Sequence, residues 1–182
     1  VQQIGWAAWV ENQLSPPAGD DPELAGYIAS STMNIKYSAK DNAFGGWGAV
    51  NEDRPLTALN ASPLSLWDIY KQRNKTLPNK EISRITEEVV AATWMRATHS
   101  TYQVREIMAD FWHNHFNVAA KESAAVRTGT AAYDRDAIRP HVFGNFRDML
   151  EANATSVSML FYLDNAISKP ATPNENYARE LL

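Results

Sequence analysis

The run Ser100-Thr101-Tyr102-Gln103-Val104-Arg105-Glu106-Ile107-Met108-Ala109-Asp110-Phe111-Trp112-His113-Asn114-His115-Phe116-Asn117 reads as one helix whose start and faces are both marked. Ser100 followed three residues later by Gln103 is a capping-box pattern, which supplies partners for the orphan N–H groups of a first turn. Val104, Ile107, Met108, Phe111 and Trp112 or His115 then recur at helical spacing and predict its buried face. The run lies inside Asn79 to Thr128, a stretch with neither glycine nor proline. Asn79 reads as the cap of the preceding helix, with Glu81 in the first turn and Ile82, Ile85, Val89 and Ala92 as the apolar stripe.

Working outward, Ser62-Pro63 sets a cap residue before a proline suited to the first helical position, opening a helix from Leu64 to about Lys71. Thr172-Pro173-Asn174-Glu175 is a second capping box. Weaker helical patterns cover 6–14, 131–139, 143–153 and 156–163. The best strand candidate, Met33-Asn34-Ile35-Lys36-Tyr37, is short. No internal repeat is found. The expected class is all-α, an irregular multi-helix bundle. Residues 1–60 are loop-rich, with Ser15-Pro16-Pro17-Ala18-Gly19-Asp20-Asp21-Pro22 and Gly45-Gly46-Trp47-Gly48, and residues 61–182 are helix-rich.

With 182 residues and 45% hydrophobic content, the chain suits a single domain with a real core. The absence of cysteine excludes disulfides, thiolate metal sites and a Cys nucleophile. A net charge of −4 argues against nucleic-acid binding, and all of it arises in residues 1–60, which hold three Lys/Arg and seven Asp/Glu. No apolar run approaches the roughly 18 to 20 residues of a membrane span. The chain opens on Val1, without a basic leader, and closes on Leu182 inside a helical pattern. It is expected to be the N-terminal portion of a longer protein. Phosphate-loop, nucleophile-elbow and dinucleotide fingerprints are missing.

Three polar clusters could carry chemistry. In the first, Asp110 and His113 stand at i, i+3, from which a carboxylate and an imidazole on one helix can reach one metal ion. His115 points about 200° from His113 on a helix and joins it only if the helix frays after Trp112. The plainer reading makes Glu106-Asp110-His113 a solvated face and His115 a core histidine. In the second, Tyr133-Asp134-Arg135-Asp136-Ala137-Ile138-Arg139-Pro140-His141, Arg139 lies three residues from Asp136, and Pro140 leaves His141 at a turn. In the third, Glu175 faces Arg179 and Asn176 faces Glu180 at i+4, while Asn174 and Asn176 give more hydrogen-bonding capacity than a first turn requires.

Phe-Trp-His-Asn-His-Phe at 111–116, Tyr-Asp-Arg-Asp-Ala-Ile-Arg-Pro-His at 133–141, Gly-Asn-Phe-Arg-Asp-Met-Leu at 144–150, Tyr-Leu-Asp-Asn at 162–165 and Asn-Glu-Asn-Tyr-Ala-Arg-Glu-Leu at 174–181 occur in this order. They resemble the successive signature blocks of the bacterial family known as domain of unknown function 1800. The opening Trp-Val-Glu-Asn-Gln-Leu-Ser-Pro-Pro is similar to that family's start. The resemblance implies a larger, mostly helical protein, frequently exported to the periplasm or outside the cell, without a settled activity.

Two functions follow from these readings. The favoured one is an exported structural or interaction protein with buried polar networks, its partner being the remainder of its own chain or another subunit. The alternative is an enzyme or cofactor-binding protein. Asp110, His113 and His115 would then hold a divalent metal, while Asn174, Asn176, Arg179, Glu180, Arg139 and His141 would contact a ligand.

Overall fold

The computed structural model describes residues 4–181, and helices dominate it. First come α1 (Trp6–Leu14) and α2 (Pro22–Ser30), then strands β1 (Thr32–Tyr37) and β2 (Val50–Pro55). After them follow α3 (Pro63–Gln72), α4 (Asn79–His99) and α5 (Gln103–His115). A broken helical run then comprises α6 (Ala124–Thr128), α7 (Thr130–Ala132), a π-helical turn (Tyr133–Ile138) and a 3-10 turn (Arg139–His141). The last helices are α8 (Phe146–Thr155), α9 (Val157–Tyr162) and α10 (Asn176–Leu181).

The mostly helical class holds, with one correction: a two-stranded antiparallel hairpin. β1 contains the short strand candidate, with Met33 opposite Arg54 and Ile35 opposite Glu52. β2 escapes sequence reading because Val50-Asn51-Glu52-Asp53-Arg54-Pro55 has no apolar alternation; only Val50 and Arg54 are half-buried. The hairpin is anchored to α4 through Glu81, whose Oε1 accepts from the Tyr37 hydroxyl (2.8 Å) and from Arg54 Nη1 (2.9 Å).

Local capping chemistry explains most helix starts. Ser62 Oγ accepts from the Ser65 N–H at 3.1 Å, with Pro63 opening α3 as read. α2 falls in the segment read as loop, although Asp21-Pro22 carries a start signal: Asp21 Oδ1 accepts from the Leu24 N–H at 3.1 Å. α4 starts at Asn79 with Pro78 as the flanking residue and no side-chain cap, so Asn79 lies inside the helix. At α5 the box is displaced. Ser100 Oγ accepts from the Tyr102 N–H (3.1 Å) and the Gln103 amide donates to the Ser100 carbonyl (2.7 Å). At α10 it is Asn174, not Thr172, whose side chain accepts from the Asn176 N–H, at 2.9 Å.

The α4 stripe packs as expected. Ile82, Ile85 and Ala92 are fully buried, Ile85 against Ala58, Leu66 and Ala131, and Ala92 against Leu24, Ile28, Leu56 and Leu59. Gly129 lets α9 approach the α6–α7 junction, because a Cβ there would lie 2.5 Å from Ser158 Oγ. α5 departs from its expected face. Ile107 (66%) and Phe111 (52%) are exposed, while Arg105, Glu106 and Ala109 are buried. The helix is turned so that two charged residues point inward, and the cause lies in the elements facing it.

Candidate functional site

Between α4, α5, the Tyr133–His141 turns and the loop after α1 lies a closed ring of alternating charge. Arg96 on α4 grips Asp20 with Nε on Oδ1 (2.9 Å) and Nη2 on Oδ2 (2.9 Å). Its Nη1 reaches Asp134 Oδ2 at 3.4 Å. Asp134 takes Arg139 Nε on both oxygens, at 3.1 and 3.0 Å. Arg139 Nη1 donates to Glu106 Oε2 (2.9 Å), whose other oxygen accepts from Arg105 Nε (3.2 Å). Arg105 Nη2 stands 3.6 Å from Asp20 Oδ1, closing the circuit, while its Nη1 donates to the carbonyls of Pro17 and Gly19.

The π-helical turn makes this ring possible. On an α-helix, residues five apart point about 140° away from each other, so Asp134 and Arg139 would diverge. A π turn closes over five residues, and Arg139 returns above Asp134. The expected Asp136–Arg139 pair is not formed; Asp136 takes Arg135 instead, at 2.7 Å. Burial alone would push the Asp134 carboxyl up. Arg139, the hydrogen bond from His113 and Arg96 together outweigh that and hold it well below the usual carboxylate range. Burial disfavours the Arg139 cation, yet Asp134 and Glu106 raise its pKa overall.

His113 is attached to the ring from outside, its Nε2 lying 2.8 Å from Asp134 Oδ1. Asp110 and His115 do not join it. Both are exposed, and His115 stacks on Phe111 with ring centroids 6.1 Å apart. Among the described residues, no three His, Asp or Glu side chains are grouped to hold a metal ion. A second polar chain runs through the adjoining core. The Tyr133 hydroxyl donates to the Phe116 carbonyl (2.6 Å) and accepts from Asn153 Nδ2 (2.6 Å). Asn153 Oδ1 accepts from the Tyr177 hydroxyl at 3.1 Å, tying α10 to α8. Burial pushes both phenols up.

The ring forms one wall of a cleft of about 1120 Å³. Arg96, Arg105, Arg135 and Arg139 line it with only Asp20 and Asp134 as acids, and Ile28, Leu56, Leu59, Val142 and Phe143 supply apolar walls. Of the six ligand-contact candidates, only Arg139 lines this cleft. His141 sits in the 3-10 turn, its carbonyl accepting from the Gly144 N–H. Asn174 and Asn176 form the start of α10, Arg179 pairs with Glu175, and Glu180 is exposed.

The model of a family described as a protein of unknown function, DUF1800, matches residues 1–182. The chain belongs to the DUF1800 family. No curated protein and no solved structure matches it. The strings that carried the DUF1800 resemblance supply His113, Asp134, Arg139, Tyr133 and Tyr177, but not Asp20, Arg96, Arg105 or Asn153. Those four have no local sequence signal. Arg96 and Asp20 are 76 residues apart, and an ion pair over that span leaves no period in the sequence.

Proposed function

We propose that this DUF1800 chain is a structural and interaction protein, in which the ionic ring fixes the helices as a rigid frame. The observation that carries the reading is the closure of the ring: Asp20, Arg96, Asp134, Arg139, Glu106 and Arg105 alternate in sign. A buried network in which each charge faces an opposite one favours a single arrangement of the helices, and losing one member leaves an uncompensated charge. Asp134, held ionised by two guanidiniums, is a weak base and a poor choice for moving protons.

A partner surface is supported by apolar i, i+4 pairs that stay exposed: Val90 and Trp94 on α4, Ile107 and Phe111 on α5. The partner we envisage is the remainder of the same polypeptide or another protein subunit. Residues 1–182 would then form one unit, an irregular helical bundle with its loops gathered in residues 1–60. We place the protein outside the cytoplasm, in the periplasm or beyond, because the family resemblance carries that expectation; cell fractionation tests it.

The functional test uses His113→Ala and Asp134→Asn in the full-length protein. Both are expected to lower the melting temperature. A variant that keeps the wild-type melting temperature yet abolishes a reaction of the full-length protein would overturn the structural reading in favour of the enzyme alternative.

A further inference from the structure

From the ring-walled cleft we infer a binding site for a small organic anion with an apolar body. This goes beyond the structural role of the ring, because it concerns the face that the ring turns toward solvent.

Three observations converge on it. The chain as a whole carries −4, yet the cleft is lined by four guanidiniums and two carboxylates, with Glu106 and Asp136 outside the lining. The lining thus presents two more guanidiniums than carboxylates, with the compensating Glu106 and Asp136 standing outside it, and a concave wall with that excess favours an anion over a cation. Donor capacity also remains on the arginines. Arg139 spends Nε on Asp134 and Nη1 on Glu106, leaving Nη2 without a hydrogen bond among the described residues. Arg105, 5% exposed, has a buried Nη2 with no hydrogen-bond partner, since Asp20 lies at 3.6 Å. An unbonded guanidinium nitrogen in a buried position is uncommon; at Arg105 it faces Asp20 in the ring, so Arg139 Nη2 is the donor left for a ligand.

The remaining walls set the other half of the ligand. Ile28, Leu56, Leu59, Val142 and Phe143 are apolar, and the cleft is slightly larger than the usual small-molecule site of about 300–1,000 Å³. A carboxylate or phosphate head facing Arg139, with a hydrocarbon body along these side chains, satisfies both the donors and the walls. A cation, or a compact inorganic ion with no apolar part, satisfies only one or neither.

Calorimetric titration of the full chain with octanoate, octylammonium and acetate tests the assignment. Octanoate is expected to bind at one site, with octylammonium and acetate at least tenfold weaker. Arg139→Gln removes the free donor and is expected to weaken octanoate binding at least tenfold. Arg139 is also a ring member, so Ala29→Trp provides a second test: Ala29 is exposed at the cleft lining and lies on α2, which contributes no ring residue, and an indole there takes up part of the space. Loss of octanoate binding in Ala29→Trp with an unchanged melting temperature supports the site. Equal binding of octylammonium, octanoate binding unaffected by Ala29→Trp, or no octanoate binding overturns it. None of these results bears on the melting temperatures that test the structural role.

Discussion

His113 Nε2 lies 2.8 Å from Asp134 Oδ1, so the imidazole is committed to a carboxylate that two arginines already hold. A metal ion would have to displace that bond while finding only exposed Asp110 and His115 on the same helix. Titration with Zn²⁺ or Mn²⁺ is therefore expected to show no 1:1 site tighter than about 10 µM. A stoichiometric isotherm abolished by His113→Ala would revive the metal reading. His113→Ala itself should cost about 1–2 kcal/mol in urea unfolding, as a half-exposed donor to a charged group.

Asp134 carries more. Its side chain is 5% exposed and contacts Arg96, Arg139 and His113. Asp134→Ala leaves two guanidiniums facing each other without their shared anion, and the expected loss is about 3–5 kcal/mol. Equilibrium unfolding measures it, and a loss under about 1 kcal/mol would mean that the ring is dispensable.

The pH dependence has a definite sign. The Asp134 carboxyl is held below its ordinary value, so as pH falls the unfolded chain takes up a proton first, near pH 4. The unfolded state then binds more protons, and the Asp134 contribution, complete above about pH 5, declines as pH drops further. Glu88 works oppositely: burial pushes its carboxyl up, and its contribution grows as pH falls. Both proteins keep Glu88 when wild type is compared with Asp134→Asn, so their stability difference isolates Asp134. It is expected to narrow from pH 6 to pH 3 in urea titrations; a constant difference would contradict the shift.

Tyr133 joins the two halves of the second polar chain. Tyr133→Phe strands the Phe116 carbonyl and Asn153 Nδ2 in the core and should cost about 2–3 kcal/mol. Tyr177→Phe removes one half-buried donor and should cost about 1 kcal/mol or less. A double-mutant cycle is expected to show coupling between the two through Asn153. Additive losses would mean that Asn153 does not transmit between them.

The helices were largely legible in the sequence because their signals are local. Ser62-Pro63, the Ile82–Ala92 stripe and the Trp6–Leu14 pattern each act within a few turns. The rotation of α5 was not legible, since Ile107 and Phe111 look more apolar than Arg105 and Glu106 until their partners are known. Those partners lie on a loop, on α4 and on a π-helical turn whose period no α-helical reading anticipates. Arg139 and His113 stand out in the sequence as polar residues, but the acid that they share, Asp134, does not: the i, i+3 spacing points to Asp136 for Arg139 and to Asp110 for His113. β2 and α2 show the same limit from the other side: a polar strand and a short capped helix inside a loop-rich composition.

Hydrogen exchange on Asp134→Asn in the full chain tests most directly whether the ring holds the frame. Loss of protection is expected together in the loop carrying Asp20, the C-terminal half of α4, the first turns of α5 and residues 133–141, because the ring joins them into one cooperative unit. Loss confined to residues around 134, with α4, α5 and the Asp20 loop protected as in wild type, would contradict the account.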